Sequence, residues 1–359
     1  MHCPAARGEL SGALLELFGR DPGDGRDPLP GAPAVAAADP YGEDVQLALH
    51  LCYELHYRGL PGVSDAWEWD PRALRLRAVL ESAFLAALRA DAPIGEGVDA
   101  ALTELVTEPP DGEADGASSF LRDHGTWEQL REYAVHRSVY QLKEADPHAW
   151  AIPRLTGTAK AGLVAVEYDE FGAGRADRVH AALYAELMRD LDLDYSYGHY
   201  VDAVPAATLA TGNLMSLFGL HRALRGCLVG HFATLECTSP PGSRRMVRAM
   251  ERLGAGPAAV RFYAEHVSAD AVHEQLVRRD VVGGLLREEP ALAADVEFGI
   301  TATQWLEGRF ERRVTEAWRA GRSSLRRPLE SAAEAGAPEA AGPVGAGAGP
   351  RRRGEAGAS

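Results

Sequence analysis

The chain has 359 residues, 46% of them apolar in the AVILMFWYC sense, enough to bury a sizeable core in one large or two moderate domains. Its formal net charge of -15 argues against general nucleic-acid binding, which needs a cationic surface. It lacks an uninterrupted apolar run of the roughly 18 residues a membrane span needs, and the start MHCPAARGELSG has no basic-then-apolar leader. Cys3, Cys52, Cys227 and Cys237 are scattered without C-x2-C spacing, so neither a zinc site nor a disulfide framework is expected. Together these features predict a soluble, cytoplasmic protein with no membrane or nucleic-acid partner.

Residues 21–40 are rich in Pro, Gly and Ala, so 1–41 is expected to form a disordered or flexible arm. Helical patterns follow at 44–59, 71–90 and 97–108, giving an N-terminal helical segment over 42–118 that ends in the breaker-rich 109–118. The main domain, 119–325, holds candidate helices at 119–146 (with a break near Gly125), 158–171, 175–191, 206–221, 224–237, 243–254, 258–288 and 290–320. The Ala/Gly/Pro-rich stretch 326–359 reads as a disordered tail. Almost no segment alternates with period two. The fold class is therefore all-α, a helical bundle.

Chemistry concentrates in YAEHVSADAVHEQL. At about 100° per residue, His266, Asp270 and His273 share one helix face and offer two imidazoles and a carboxylate suited to a first-row transition metal. Alone, the triplet reads equally well as a solvated polar face. Other helices supply candidate partners. Glu236 ends an apolar run in LVGHFATLEC, His180 sits between Val179 and Ala181, and Glu144 closes a run with Val139, Tyr140 and Leu142. Glu132 and His136, an i,i+4 pair, form a rival metal face for which a hydrogen-bonding role is favoured. Phe171, Tyr184, Leu214, Phe218, Phe262 and Tyr263 are pocket candidates that read as readily as core.

The ordered set Glu144, Glu170, His180, Glu236, His266, Asp270 and His273 resembles the metal-ligand pattern of the heme-oxygenase-like diiron oxidases, which include proteins described as iron-containing redox enzymes, over about residues 119–310. The resemblance implies a heme-oxygenase-like bundle, to which 42–118 is an addition, holding two Fe(II)/Fe(III) ions and using O2 as co-substrate. It implies an oxidase or oxygenase acting on a small amine, an amino-acid-like or a fatty-acid-like metabolite. It also admits a homodimer and an external electron donor. Glu170 is implied as a ligand that joins when metal binds, at a junction loosened by Gly172 and Gly174, with Glu167 one turn earlier as its substitute. Two alternatives stay open: a non-catalytic metal-binding or interaction module, and a thiaminase-like member of the superfamily relying on a Cys or carboxylate. True heme binding fits less well, since it needs one axial His and not seven converging ligands.

Overall fold

The computed structural model describes residues 3–22, 29–107 and 116–329, with the side chains of 268–271 also outside the described set. Its helices are α1 (Glu9–Phe18), α2 (Ala32–Ala37), α3 (Glu43–Glu54), α4 (Pro71–Asp91), α5 (Val98–Val106), α6 (Ala117–Asp123), α7 (Trp127–Gln141) and α8 (Asp146–Ala149). They continue as α9 (Gly157–Glu170), α10 (His180–Asp190), α11 (Ala206–Leu220), α12 (Arg225–Leu253), α13 (Pro257–Leu276), α14 (Gly283–Glu288) and α15 (Ala293–Arg319). A π-helical segment, Val277–Val282, links α13 to α14. The described residues contain no strand, and the fold is an all-α helical bundle. No helix among them is long and apolar enough to cross a membrane.

Local signals set the helix boundaries. Asp70 caps α4 ahead of Pro71, whose missing N–H is harmless in a first turn. Thr126 and Gln129 form a reciprocal capping box that restarts the chain as α7 after the break at Gly125. One expectation fails here, because 224–237 and 243–254 are a single helix running through Pro240 and Pro241. The prolines remove two ladder donors, yet α12 packs on α13, α15, α6 and α5, and this burial holds it together. Thr234 and Thr238 bond back to the carbonyls of Gly230 and Thr234, at 2.9 and 2.8 Å.

The close crossing of α12 and α15 depends on two glycines. A Cβ at Gly230 would lie 2.0 Å from the Val296 carbonyl oxygen, and one at Gly299 would lie 2.1 Å from that of Cys227. Around this pair α13 packs on α12 and α10 packs on α13. The π segment is covered by α9.

The expected arm over 1–41 also needs correction. Leu10, Leu14, Leu17 and Phe18 recur at helical spacing, and α1 buries them against α3. Asp44 fixes its first turn by accepting from Leu10 N at 2.9 Å and Ser11 N at 2.8 Å. Helix α2 packs on α4 with Val35 buried, and residues 23–28 lie outside the described set. Residues Met1–Pro328 form one compact unit, so 42–118 is built into the bundle through α3 on α11 and α5 on α12. Of the tail expected over 326–359, Arg326 N and Arg327 N donate to the Ala203 carbonyl at 2.8 and 3.2 Å, so its start is ordered against the bundle, and residues 330–359 lie outside the described set.

Candidate metal centre

Each candidate ligand is delivered by a specific local feature. Glu144 lies in the turn after α7, which Ala145 completes at φ 74°. The N-terminal segment braces that turn. Lys143 pairs with buried Glu54 of α3, Glu54 also accepts from the Tyr197 hydroxyl at 2.5 Å, and Arg58 donates to the Leu142 carbonyl at 3.0 Å. Glu170 is the last residue of α9. The chain then reverses through Gly172 (φ 74°), Ala173 (φ 51°) and Gly174 (φ 81°). A Cβ on Gly172 would come within 2.7 Å of the Arg178–Val179 backbone, so only glycine fits this left-handed position. The reversal starts α10 at His180, whose Nδ1 faces Glu170 Oε2 at 2.5 Å.

The ligand atoms converge in two overlapping groups. Glu144, Glu170, His180 and His266 each offer a donor atom within 4.8 Å of the others, and Glu170, Glu236 and His273 do the same. Glu170 belongs to both. In the first group His266 Nε2 lies 3.5 Å from Glu144 Oε1, and His180 Nδ1 lies 3.8 Å from Glu144 Oε2. In the second, His273 Nδ1 lies 3.3 Å from Glu236 Oε2 and 3.8 Å from Glu170 Oε1. Donors about 2.0–2.2 Å from one ion, at right angles, sit about 3 Å apart, so these separations suit ligands of a common cation. Asp270 lies on α13 between the two histidines, but its side chain is outside the described residues.

Hydrogen bonds select the ring nitrogen that each histidine presents. His266 Nδ1 is 2.8 Å from the Phe262 carbonyl, which can only accept, so Nδ1 carries the proton and Nε2 turns toward Glu144. His273 Nε2 lies 3.2 Å from Asp169 Oδ2, which leaves Nδ1 toward Glu170 and Glu236. Gln141, with its carboxamide nitrogen turned to Glu144, donates to Oε1 at 2.8 Å and Oε2 at 3.2 Å.

Burying these groups costs energy that a cation would offset. Burial, reinforced by the charge of Glu170, raises the pKa of Glu144 despite the bond and charge of His266, which pull it down. Burial alone would lower His180, but the Glu170 bond and the charges of Glu170 and Glu144 outweigh it and raise its pKa. Glu167, one turn before Glu170, is 2% exposed and neither carboxyl oxygen has a hydrogen-bond partner among the described residues. Burial and then the charges of Glu170 and Glu236 push its pKa up to about 9. A set of imidazoles and carboxylates around two adjoining points is the donor chemistry that suits iron.

Residues 131–308 match the family model of iron-containing redox enzymes. The chain belongs to the iron-containing redox enzyme family. No curated protein matches it. The matched stretch contains all seven candidate ligands and starts after α6, so α1 to α6 lie outside it. Membership supports a metal-dependent redox role for this iron-containing redox enzyme.

The rival face of Glu132 and His136 is taken up by hydrogen bonds. Glu132 Oε2 accepts from Trp318 Nε1 at 2.9 Å, Ser324 N at 2.9 Å and Ser324 Oγ at 2.6 Å. His136 joins the same network through Ser324 Oγ at 3.0 Å and Thr208 Oγ1 at 2.7 Å. Phe262 and Tyr263 line the cavity beside the centre, whereas Tyr184, Leu214 and Phe218 are buried core and Phe171 is 36% exposed. Sequence reasoning misses Gln141, Asp169 and His148. The i,i+3 spacing of Gln141 and Glu144 is a signal for the first, but nothing local marks Asp169, which meets His273 across 104 positions.

Proposed function

We propose that the chain is a non-heme diiron oxidase or oxygenase that uses O2 to oxidise a small metabolite. The observation that carries this reading is the sharing of Glu170 between two donor groups, the arrangement expected of a carboxylate between two ions. Glu144, His180 and His266 would complete one site, and Glu236 and His273 the other, with Asp270 as a further candidate ligand on α13. When bound, two iron ions supply the electrons that O2 chemistry requires.

The protein's own groups hold the geometry. The Phe262 carbonyl and Asp169 fix the two α13 rings, and Gln141 fixes Glu144. Tyr140, whose pKa is raised well above 10 by burial and the neighbouring Glu144, keeps its phenol proton and lines the cavity. Glu167 stands beside the centre with its carboxyl buried one turn before Glu170. A thiaminase-like reading gains no support from the cysteines: none lines the cavity, and burial pushes Cys52, Cys227 and Cys237 up to about 12.

The test is anaerobic loading with Fe(II), measurement of iron per chain, and optical spectroscopy on mixing with O2. Bound iron with an O2-dependent absorbance change is expected. No bound iron, or iron retained unchanged in His266→Ala and His273→Ala, would sink the proposal.

A further inference from the structure

A cavity of about 440 Å³ leads from the metal centre, where Glu144, Glu170, Glu236 and His266 form part of its wall, to an opening among α6, α12 and α15. Two glycines in its wall stand inside helices, Gly212 in α11 and Gly242 in α12. Glycine weakens a helix interior, so each calls for a reason. Elsewhere in the helices that reason is close packing: a Cβ would lie 2.8 Å from the Pro147 carbonyl oxygen at Gly219 and 2.8 Å from Ala159 N at Gly284. At Gly212 and Gly242 nothing lies within 4 Å of where a Cβ would sit. Four other described glycines are as open, Gly62, Gly97, Gly254 and Gly321, and each has a positive φ, between 65° and 104°, that favours glycine. The two open glycines without that reason are the two that line the cavity.

Helical spacing turns both gaps inward. Thr208, Thr211 and Met215, at i−4, i−1 and i+3 from Gly212, also line the cavity, and so do Ser239 and Met246, at i−3 and i+4 from Gly242. The surroundings suit a ring. Met215 and Met246, each one turn beyond its glycine, are buried, and Phe232, Phe262 and Tyr263 line the same cavity. Thioethers and aromatic side chains pack favourably on the edge or face of a ring, whereas an unbranched chain would leave lateral gaps unfilled. His148 lines the cavity at 2% exposure, and its Nε2 has no hydrogen-bond partner among the described residues. A buried imidazole nitrogen left in this way is satisfied by a polar group from outside the chain.

We propose that Gly212 and Gly242 are specificity-determining positions, whose missing side chains make room for a ring-bearing substrate with a hydroxyl or N–H group that reaches the metal centre through this cavity. The assignment rests on the metal-centred reading above, since it concerns the substrate of that same site.

The experiment measures thermal stabilisation and calorimetric binding of the full chain by phenol, indole, 2-naphthol and decanoate, with and without anaerobic Fe(II). The wild type is expected to bind indole and 2-naphthol. In Gly212→Leu and Gly242→Leu the affinity for 2-naphthol should fall about 10- to 100-fold, while phenol binding and iron content stay at the wild-type level. Gly212→Ala and Gly242→Ala should melt at or above the wild-type Tm, because alanine favours a helix and meets no neighbour at either position. A glycine kept for packing would give the opposite sign. The proposal is overturned if no ring-bearing probe binds the wild type or if decanoate binds in their place. It is also overturned if the leucine variants bind 2-naphthol as the wild type does, if they lose phenol equally, or if the alanine variants melt lower. A wild-type chain that binds 2-naphthol but takes up no iron would leave this assignment standing and defeat the diiron reading instead.

Discussion

Replacing Glu170 by Gln tests the shared-ligand geometry most directly, because the variant removes a donor from both groups at once. The first group falls from four donors to three and the second from three to two, counting the described side chains. Binding to the native state alone stabilises by RT ln(1 + [L]/Kd), about 2.7 kcal/mol per ion at a hundredfold excess over Kd. For a chain of this size that is a rise in Tm of roughly 5 °C. Losing even a supporting contact at a metal site weakens affinity about 10- to 100-fold, and losing a ligand should cost at least about 100-fold. At the same Fe(II) concentration the variant then sits near its Kd or below it, where the gain is about 0.4 kcal/mol or less and the shift about 1 °C. Glu170→Gln also removes the carboxylate that faces His180 Nδ1, so each protein's shift is read against its own metal-free form. Glu236→Gln, which touches one group only, should retain part of the shift. Differential scanning fluorimetry under anaerobic Fe(II), with iron counted on the same samples, reads all three proteins. A Glu170→Gln variant with the wild-type shift and iron content, or one indistinguishable from Glu236→Gln, refutes the shared position.

His136 makes the fold acid-sensitive: burial, then Arg137, push its pKa down to about 3, whereas the unfolded chain titrates near 6.5. Above about pH 6.5 both states are neutral. Below it the unfolded chain gains a proton the fold resists, so stability falls by up to roughly 1.4 kcal/mol per pH unit. Urea unfolding at several pH values should show a shallower slope for His136→Asn, and an unchanged slope would count against it. Gly172→Ala should leave the bundle folded but lower iron content, because the added Cβ collides with the backbone leading to His180; wild-type iron binding would show that the reversal tolerates a side chain. Gly230→Ala should destabilise by about 1–3 kcal/mol through overpacking of α12 on α15, without a specific effect on iron binding. A denaturation midpoint equal to the wild type would refute the close crossing.

The all-helical fold is legible because burial follows the 3.6-residue period, as in α4, where Leu76, Leu80, Phe84 and Leu88 are buried in sequence. Two regions mislead for identifiable reasons. Pro240 and Pro241 read as a terminator, but tertiary burial on several sides of α12 overrides local propensity. The helix α1 is hidden by the Pro- and Gly-rich residues that follow it, although Leu10, Leu14 and Leu17 carry the spacing of an amphipathic helix. At the centre, the ligand types are legible but their partition is not. His266 and His273 sit on one helix face, yet the first meets Glu144 and the second meets Glu236. That division depends on where α9 ends and how Gly172–Gly174 turns the chain, which spacing alone does not encode.

Irregular backbone flanks the centre on two of its ligand-bearing helices, and the two irregularities are coupled by packing. Helix α9 ends at Glu170 in the glycine reversal, and α13 widens into the π segment shortly after His273. The extra residue of a π turn changes the direction in which following side chains point. Here it presents Val281 and Asp280 to Gly162 of α9, where a Cβ would meet Val281 Cγ2 at 3.1 Å and Asp280 Cβ at 3.3 Å. Gly162 therefore lets α9 seat closely against the π segment, which fixes the height of Glu170, two turns further along α9, relative to His273. Asp169 adds the second tie, through the Nε2 side of the His273 ring. The α3 brace on the turn before Glu144 does the equivalent for the first donor group from outside the family-matched stretch. The described residues of 42–118 thus hold the backbone that carries Glu144 while supplying no donor to either group.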